Sequence, residues 1–368
     1  MSGAALNVLI LGASYGLLPG VKLSLAGHRV TMVGRAEEIE AMAQGPLIVR
    51  IAGRRGGEDF VLSVPVAEEP SPRRIALRTP GTVDATGFDL VILAMQEPQY
   101  GAPAVAALMA AIAAARLPCL SIMNLAPPPF LARLSIMDSL DGVYHSRAVW
   151  DGFDPQKITL ASPDPQAIRP DPASPGQLQV TLPSNFKAAP FALAEDQALL
   201  RRLAADMSHL EVDVDGHAVR PPVALIASTS LFVPLAKWPM LLAGNCRCVM
   251  PHGIRTIAEA VHADLDASAA IYSQVQRLAV TLGAGEQDLV RFSSYAKAAA
   301  RLTRPSSLAR GLEAGSVQVE RIDLLVRGLM MAQGMEIDVI DQVVGVVDMR
   351  IARNRNFPPS PMASRVGI

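Results

Sequence analysis

The chain has 368 residues, of which 50% are hydrophobic and 18% are charged. Its formal net charge of −1 at pH 7 gives no electrostatic reason to expect nucleic acid or an anionic membrane surface as its main partner. The length permits two domains with substantial hydrophobic cores. The most apolar stretch, Ala102 to Ala115, is shorter than the roughly 20 residues that a membrane-spanning helix needs.

The N-terminal residues indicate the cellular compartment, and the cysteines indicate whether disulfides or a metal site are expected. No basic segment precedes the first hydrophobic run, which argues against a secretory signal, and we expect a cytoplasmic protein. The three cysteines, Cys119, Cys246 and Cys248, are an odd number and imply no disulfide framework. The last two form a C-x-C motif without a second pair, so we predict no metal site.

The first third of the chain alternates strands with helices. Asn7 to Leu11 is an apolar run typical of a strand buried on both faces, and a helix from Leu17 to Ala26 ends before Gly27. With a second strand at Arg29 to Val33 this is a βαβ unit. Further strands are predicted at Leu47 to Ile51, Phe60 to Val66, Leu90 to Ala94 and Cys119 to Met123, and further helices at Ala36 to Gln44 and Val105 to Arg116. This alternation predicts a doubly wound parallel sheet.

The composition changes at Trp150. The region to Pro190 is rich in proline, and we interpret it as an irregular extension of the sheet with a strand at Gln177 to Leu182. An amphipathic helix at Ala194 to Ser208 follows, and the expected domain boundary lies within Glu211 to Pro222. Helical spacing then appears in four segments: Lys237 to Asn245, Ile254 to Val280, Gly285 to Arg301 and Gln318 to Met331.

We therefore predict an α/β fold with two domains. Residues 1–214 form a Rossmann-type domain with a doubly wound parallel sheet, and residues 215–368 form an all-α domain. The apolar terminal helices around Leu329 to Val347 make a homodimer the expected assembly.

The turn after the first strand fits two chemistries. Gly12-Ala13-Ser14-Tyr15-Gly16 is the G-x-S-x-G of a hydrolase nucleophile elbow and also a shortened glycine-rich dinucleotide turn. A catalytic Ser14 directly after the first strand would have no earlier strand to supply its oxyanion loop, so we favour the dinucleotide. In that role Gly12 makes the tight turn, Ser14 donates to a phosphate oxygen and Gly16 lets the helix pack closely.

The end of the second strand indicates which dinucleotide is bound. An acidic residue there would bind the ribose diol of NAD, whereas an arginine suits the 2′-phosphate of NADP. The strand ends at Val33-Gly34-Arg35, and the Arg35 guanidinium favours NADP. A solvated arginine at the start of a helix is the alternative.

Several motifs resemble those of the ketopantoate reductase family. The opening LILGASYGLLPGVKLSLAGHRVTMVGR resembles the family's strand, glycine turn, helix, AGHxV and terminal arginine. The resemblance continues, in order, at Asp89 to Leu93, Ser121 to Asn124, Lys237 to Asn245, Arg304 to Leu308 and Val319 to Asp323.

The resemblance implies an NADP-dependent reductase of a 2-keto acid, with a helical second domain of the 6-phosphogluconate dehydrogenase type. Lys237 would polarise the keto oxygen and transfer the proton, and Glu320 would hold a substrate hydroxyl. The other implied contacts are Asn245, Ser306 and Ser307 for the substrate, and Gly12, Ser14, Tyr15, Gly16, Arg35, Met95, Gln96 and Asn124 for the cofactor.

Two departures from the family pattern affect the expected substrate. Leu241 stands where the family has its first helix asparagine, and Leu125 replaces the glycine that follows Asn124. The loss of a polar anchor predicts a larger or less polar substrate pocket. An opine- or imine-type reductase acting on a bulkier substrate and a non-catalytic NADPH sensor are therefore the alternative functions.

The residues themselves also allow simpler roles. Lys237 lies among Leu235, Met240 and Leu242, so it is paired, shifted in pKa or extended toward water. Glu320 is also explained as an exposed helical charge, and Asn245 as a helix cap. If the catalytic roles hold, Asn124 at a strand end and the two charged residues of the helical half are expected to converge in a cleft that excludes water.

Overall fold

The computed structural model describes residues 4–53, 58–136, 142–162 and 166–358. The chain divides into two compact units. Unit 1 comprises Met1–Met95, Gln99–Arg133 and Ser146–Thr229, and unit 2 comprises Gln96–Pro98, Leu134–His145 and Ser230–Ile368. The second unit thus takes up two short segments of the first half of the chain.

The main sheet of unit 1 has seven parallel strands within the described ranges. In spatial order they are β5 (Val66–Ala67), β6 (Ile75–Arg78), β2 (Arg29–Val33), β1 (Asn7–Leu11), β7 (Leu90–Leu93), β8 (Cys119–Ser121) and β9 (Ile158–Leu160). Apart from the short edge strand β5, this is the Rossmann order, with its topological switch point between β1 and β7. The predicted doubly wound parallel sheet is confirmed.

A second, mixed sheet extends unit 1. It consists of β10 (Gln166–Ile168), β11 (Gln177–Leu182), β3 (Leu47–Ile51) and β4 (Phe60–Val64). The proline-rich region therefore contributes strands, as the sequence predicts. Two smaller pairs complete the unit: β12 (Phe186–Ala188) with β15 (Leu225–Ala227), and β13 (Val212–Val214) with β14 (His217–Val219).

The helices of unit 1 cover its sheets. They are α1 (Leu17–Leu25), α2 (Ala36–Met42), α3 (Pro103–Ala114), α4 (Pro128–Arg133) and α5 (Ala194–His209). One hydrophobic cluster joins Ile10 of β1, Val49 of β3 and Leu203 of α5, all fully buried. The central strands β1 and β7 are almost entirely apolar, as expected for strands whose two faces are both covered.

Unit 2 is helical in its described part. Its helices are α6 (Trp238–Met240), α7 (Ile257–His262), α8 (Leu265–Thr281), α9 (Phe292–Ala299), α10 (Ser307–Glu313), α11 (Ile322–Ala332) and α12 (Asp338–Asn356). The predicted combination of a Rossmann-type domain and an all-α domain is thereby confirmed. None of the helices in the described ranges combines the length and the hydropathy that crossing a membrane requires.

Three helix predictions in unit 2 were wrong in detail. The single helix expected from Ile254 to Val280 is two helices, because the Asp264 carboxylate accepts the Ala267 N–H at 2.9 Å and begins a new helix. The segment from Gly285 starts with a 3-10 turn, and its helix begins only at Phe292. Glu320 precedes α11 instead of lying on it.

The segment from Lys237 to Asn245 is also not one regular helix. A 3-10 turn, Val233–Lys237, leads into α6 and then into a π-helical turn, Leu241–Asn245. The Tyr295 hydroxyl donates to the Met240 carbonyl at 3.1 Å, and Pro239 has no N–H to donate. Both features disturb the regular ladder of hydrogen bonds at this point.

Three strands of the main sheet, β5, β6 and β9, were not predicted, and the strand expected to reach Val66 ends at Val64. Each of the three missed strands has four residues or fewer. The sequence also predicts a turn at Gly53 to Gly57 and an exposed tail from Asn356, and both fall largely outside the described residues.

Candidate functional site

The carboxyl ends of three neighbouring strands are aligned in unit 1. Leu11 of β1 pairs in register with Val33 of β2 and with Leu93 of β7. The residues that follow these strands therefore emerge at one edge of the sheet, at its switch point. In open α/β sheets this is where ligands bind.

The glycine turn after β1 leaves no room for side chains. Gly12 has φ +110°, and a Cβ there would lie 2.4 Å from the Ala94 carbonyl oxygen. The Gly16 N–H donates to the Gly12 carbonyl at 3.1 Å, and a Cβ on Gly16 would lie 2.4 Å from that same oxygen. The turn thus brings α1 close to β1, in the geometry that a dinucleotide cradle needs.

Ser14 and Tyr15 form the tip of this turn. Ser14 is half-buried, and 36% of Tyr15 is exposed. In the described part of the chain their backbone N–H groups donate to no protein acceptor. Unpaired N–H groups at the start of a helix bind anions, so the turn fits the pyrophosphate of a dinucleotide.

Arg35 follows β2 at the same edge. Its side chain is 78% exposed, and its Nε lies 3.8 Å from Oε2 of Glu38. The Gly34 N–H donates to the Arg78 carbonyl at 3.1 Å, which ties this point of the chain to β6. The guanidinium is therefore available to a ligand at the place where the sequence predicts a 2′-phosphate.

Met95 and Asn124 follow β7 and β8. The Met95 N–H donates to the Tyr100 hydroxyl at 3.2 Å, and the Met123 N–H donates to Ser121 Oγ at 3.3 Å. Both Met95 and Asn124 are half-buried. They lie at the ends of the strands on the far side of the switch point from Arg35.

Unit 2 contains a pair of glutamates that sequence reasoning did not join. The Glu97 N–H donates to Oε1 of Glu320 at 3.2 Å, and the fully buried carboxylate of Glu97 accepts the His145 N–H at 3.0 Å. Glu97 directly follows Gln96 in the loop that the family resemblance assigns to the cofactor. The sequence shows an acidic residue in that loop, but the contact between Glu97 and Glu320 is visible only in the tertiary structure.

Lys237 ends the 3-10 turn that precedes α6. It is half-buried, and its neighbours Leu235 and Trp238 are buried. Because charges interact more strongly beside apolar residues than in bulk water, the ammonium group of Lys237 is suited to stabilise an anionic atom that it reaches.

Asn245 and Ser306 are brought together. The Ser306 hydroxyl donates to the Asn245 carbonyl at 2.7 Å and accepts the Ala309 N–H at 3.2 Å, so it caps α10. Ser306 is buried, whereas Ser307, the first residue of α10, is half-buried. The two serines that the motif does not distinguish therefore have different surroundings.

The residues that depart from the family pattern are buried. Leu241 is 2% exposed and Leu125 is fully buried. Burial raises the pKa values of the Cys246 and Cys248 thiols, so both are protonated and unreactive at neutral pH. Within the described ranges no group of three or more His, Cys, Asp or Glu side chains is arranged to hold a metal ion.

Solved structures resemble this chain, whereas comparisons of its whole sequence find no match. No protein-family model matches it, and no curated protein does. A putative ketopantoate reductase from Ralstonia solanacearum MolK2 superposes with a TM-score of 0.67 at 17% identity, covering 96% of this chain and 99% of that one. The 2-dehydropantoate 2-reductase from Methylococcus capsulatus gives 0.63 at 17% identity, with 97% and 99% covered.

The chain has the ketopantoate reductase fold. D-mandelate dehydrogenase, in a ternary structure with NADH and anilino(oxo)acetate, shares this fold with a TM-score of 0.65 at 14% identity, covering 95% of this chain and 99% of that one. The resemblance predicted from the sequence motifs is thus confirmed as a likeness of fold over nearly the whole chain.

Proposed function

We propose that this chain is a nicotinamide-dependent oxidoreductase that interconverts a small 2-keto acid and the corresponding 2-hydroxy acid, with NADP as its cofactor. The observation that carries the proposal is the glycine turn at the switch point. The backbone approaches closely at Gly12 and Gly16, and the N–H groups of Ser14 and Tyr15 have no acceptor among the described residues. Both features suit a pyrophosphate.

The substrate class is supported by the proteins that share the fold. One is a putative ketopantoate reductase, and another is D-mandelate dehydrogenase in complex with anilino(oxo)acetate, an oxo acid. Both names describe chemistry at the carbon next to a carboxylate. We propose this class of reaction for the chain and assign neither of the two named substrates to it.

The cofactor contacts follow from positions in unit 1. Ser14 and Tyr15 would bind the pyrophosphate, Arg35 the 2′-phosphate, and Met95 and Asn124 the nicotinamide half. Gln96, which begins the loop grouped with unit 2, would also contact the cofactor. A bound reduced nicotinamide supplies a hydride to the keto carbon.

Lys237 is proposed as the catalytic proton donor. Negative charge develops on the keto oxygen during reduction, and a cation within hydrogen-bond reach of that atom stabilises it. The Lys237 ammonium donates a hydrogen bond to the oxygen and then transfers the proton to it. In the oxidative direction the neutral amine accepts the same proton.

Glu320 and the polar residues near α10 are proposed to orient the substrate. The Glu97 N–H donates to Oε1 of Glu320, and we propose that the Glu320 carboxylate accepts a hydrogen bond from a substrate hydroxyl. Asn245 and Ser307 would bind the substrate carboxylate. We assign the contact to Ser307 because the Ser306 hydroxyl already caps α10.

The test is a titration of NADPH and NADH into the purified protein, followed by NADPH oxidation with a panel of 2-keto acids. We expect NADPH to bind more tightly than NADH and at least one keto acid to be reduced. Absence of binding to either nucleotide would refute the proposal. Oxidation that requires an added amine would indicate an opine- or imine-type reductase, and binding without oxidation a sensor. The homodimer and the cytoplasmic location stay predictions.

A further inference from the structure

A carboxylate lies beside the position proposed for the 2′-phosphate. Glu38, on the first turn of α2, is 12% exposed. Its Oε2 lies 3.4 Å from the point where a Cβ on Gly34 would be, and the Ala13 Cβ lies 3.3 Å from the same point. The carboxylate is therefore packed against the chain that follows β2, next to the glycine turn. A carboxylate here favours a ribose diol and opposes a phosphate dianion.

Arg169 neutralises this carboxylate. Its Nη2 contacts Oε1 of Glu38, and its side chain is 17% exposed. Arg169 directly follows β10, so it comes from the second sheet and is 131 residues away from Glu38 in the chain. Its buried Nε has no hydrogen-bond partner among the described residues, so within them the guanidinium is held by its contact with Glu38.

The three side chains form a charged set with a net positive charge. Glu38 lies between two guanidinium groups, with Arg169 on Oε1 and Arg35 near Oε2. One negative and two positive charges leave a charge of +1. Without Arg169 the set would be neutral. The negative charge of Glu38 would then offset the positive charge that the exposed Arg35 presents to a phosphate.

We propose that Arg169 is a specificity-determining residue for the cofactor: by pairing with Glu38 it removes the repulsion that a 2′-phosphate would meet there. This inference rests on the proposed function, since it assumes that the edge after β2 receives a nicotinamide dinucleotide. Discrimination between NADP and NAD then depends on a residue of the second sheet as well as on Arg35.

The test is the ratio of the Kd values for NADPH and NADH, measured by fluorescence titration of the full-length chain. In Arg169→Gln we expect NADPH to bind about tenfold more weakly and NADH within about twofold of the wild type, because only NADPH carries the additional phosphate. In Glu38→Gln the ratio should shift toward NADPH. The double variant should return to within about threefold of the wild-type ratio, because the two changes act through one pair.

Two further variants separate specificity from folding. Arg116→Gln also removes one positive charge from an ion pair of unit 1, since Arg116 pairs with Asp154 at 2.6 Å. Arg116 precedes β8 and therefore lies at the opposite edge of the sheet. In this variant the ratio of the Kd values for NADPH and NADH should not change. Arg169→Lys keeps the charge and should keep most of the preference if Arg169→Gln folds poorly.

Each remaining outcome decides between the two proposals. If the wild type binds neither nucleotide, the proposed function is refuted and the inference with it. If the wild type binds a nucleotide but Arg169→Gln weakens both cofactors equally, or Glu38→Gln leaves the ratio unchanged, only the inference on specificity is refuted.

Discussion

The backbone N–H of Glu97 donates to Oε1 of Glu320 at 3.2 Å, although the two residues are 223 positions apart. Glu97 belongs to the loop after β7, and Glu320 lies two residues before α11. A main-chain donor holds its partner more rigidly than a long side chain does, since fewer rotatable bonds must be ordered. We infer that Glu320 is oriented by this loop.

Replacing Glu320 should reduce turnover without loss of the fold. In Glu320→Gln we expect kcat/KM for the best keto acid to fall about 100-fold, because the charge that orients the substrate is lost. The matched control is Glu336→Gln, an exposed position of the same unit, which should keep its activity. A fall of less than about threefold in Glu320→Gln would exclude a role in the substrate site.

Glu97 should act through Glu320. Glu97→Gln retains an oxygen that accepts the His145 N–H, and we expect near wild-type activity. Glu97→Ala leaves that N–H without an acceptor and loosens the loop, so kcat/KM should fall about tenfold. Steady-state kinetics of the two variants provide the comparison, and equal activities would show that the carboxylate contact has no positioning role.

Loss of Lys237 should affect the chemical step and not cofactor binding. For Lys237→Met we expect kcat to fall by about 100- to 10,000-fold, the usual contribution of a general acid. The Kd for NADPH should stay within about twofold. Lys297→Met, at an exposed position of α9, controls for the loss of a lysine from unit 2. Unchanged kcat in Lys237→Met would refute its assignment as the proton donor.

The buried Lys22 should make stability depend on pH. Lys22 is 1% exposed. Its ammonium group donates to the carbonyls of Pro221 and Pro222 at 3.2 and 2.7 Å and to that of Val223. Burial lowers the pKa of Lys22 from 10.5 to about 8. Because the unfolded chain binds this proton more tightly, the free energy of unfolding should rise between pH 8 and 10.5, by up to about 3 kcal/mol.

Chemical denaturation of the wild type and Lys22→Met at pH 7 to 10 measures this difference. The variant should lack the rise with pH and should lose about 1–3 kcal/mol at pH 7, since three carbonyls lose their donor. Lys187→Met, at an exposed position of β12, should follow the wild type. Parallel pH profiles for Lys22→Met and the wild type would contradict the prediction.

A methyl group on Gly12 should be costly. At φ +110° an alanine is strained, and its Cβ would lie 2.4 Å from a backbone oxygen. We expect Gly12→Ala to lose about 2–4 kcal/mol of stability and to bind NADPH poorly. Gly45→Ala, where no atom of the described residues lies within 4 Å of the added Cβ, should be neutral in both thermal denaturation and titration. Normal stability of Gly12→Ala would contradict the close approach seen here.

Substitutions of Ser306 and Ser307 should have different effects, one on stability and the other on substrate binding. Ser306→Ala removes the cap of α10 and the hydrogen bond to the Asn245 carbonyl, and we expect a loss of about 1–2 kcal/mol. Ser307→Ala should keep the thermal stability and raise KM for the keto acid. The reverse pattern would assign the substrate contact to Ser306.

The local sequence determined those elements that can be recognised from neighbouring residues alone. The bounds of β1, β2, β3 and β11 were predicted without error, because continuous or alternating apolar residues identify buried strands wherever their partners lie. The turn at Gly12 to Gly16 was predicted because its chemistry is contained in five consecutive residues. The motifs in chain order were sufficient to predict the ketopantoate reductase fold.

Tertiary structure decided the pairs that join distant parts of the chain. Arg169 reaches Glu38 across 131 residues, and Lys22 reaches Val223 across 201. The Tyr295 hydroxyl donates to the carbonyl of Met240, directly before the π-helical turn, from 55 residues further along the chain. Hydrophobic periodicity predicts which face of a helix or strand is buried, but it does not identify the distant residues that contact this face. Those contacts are known only when the packing of the elements is known.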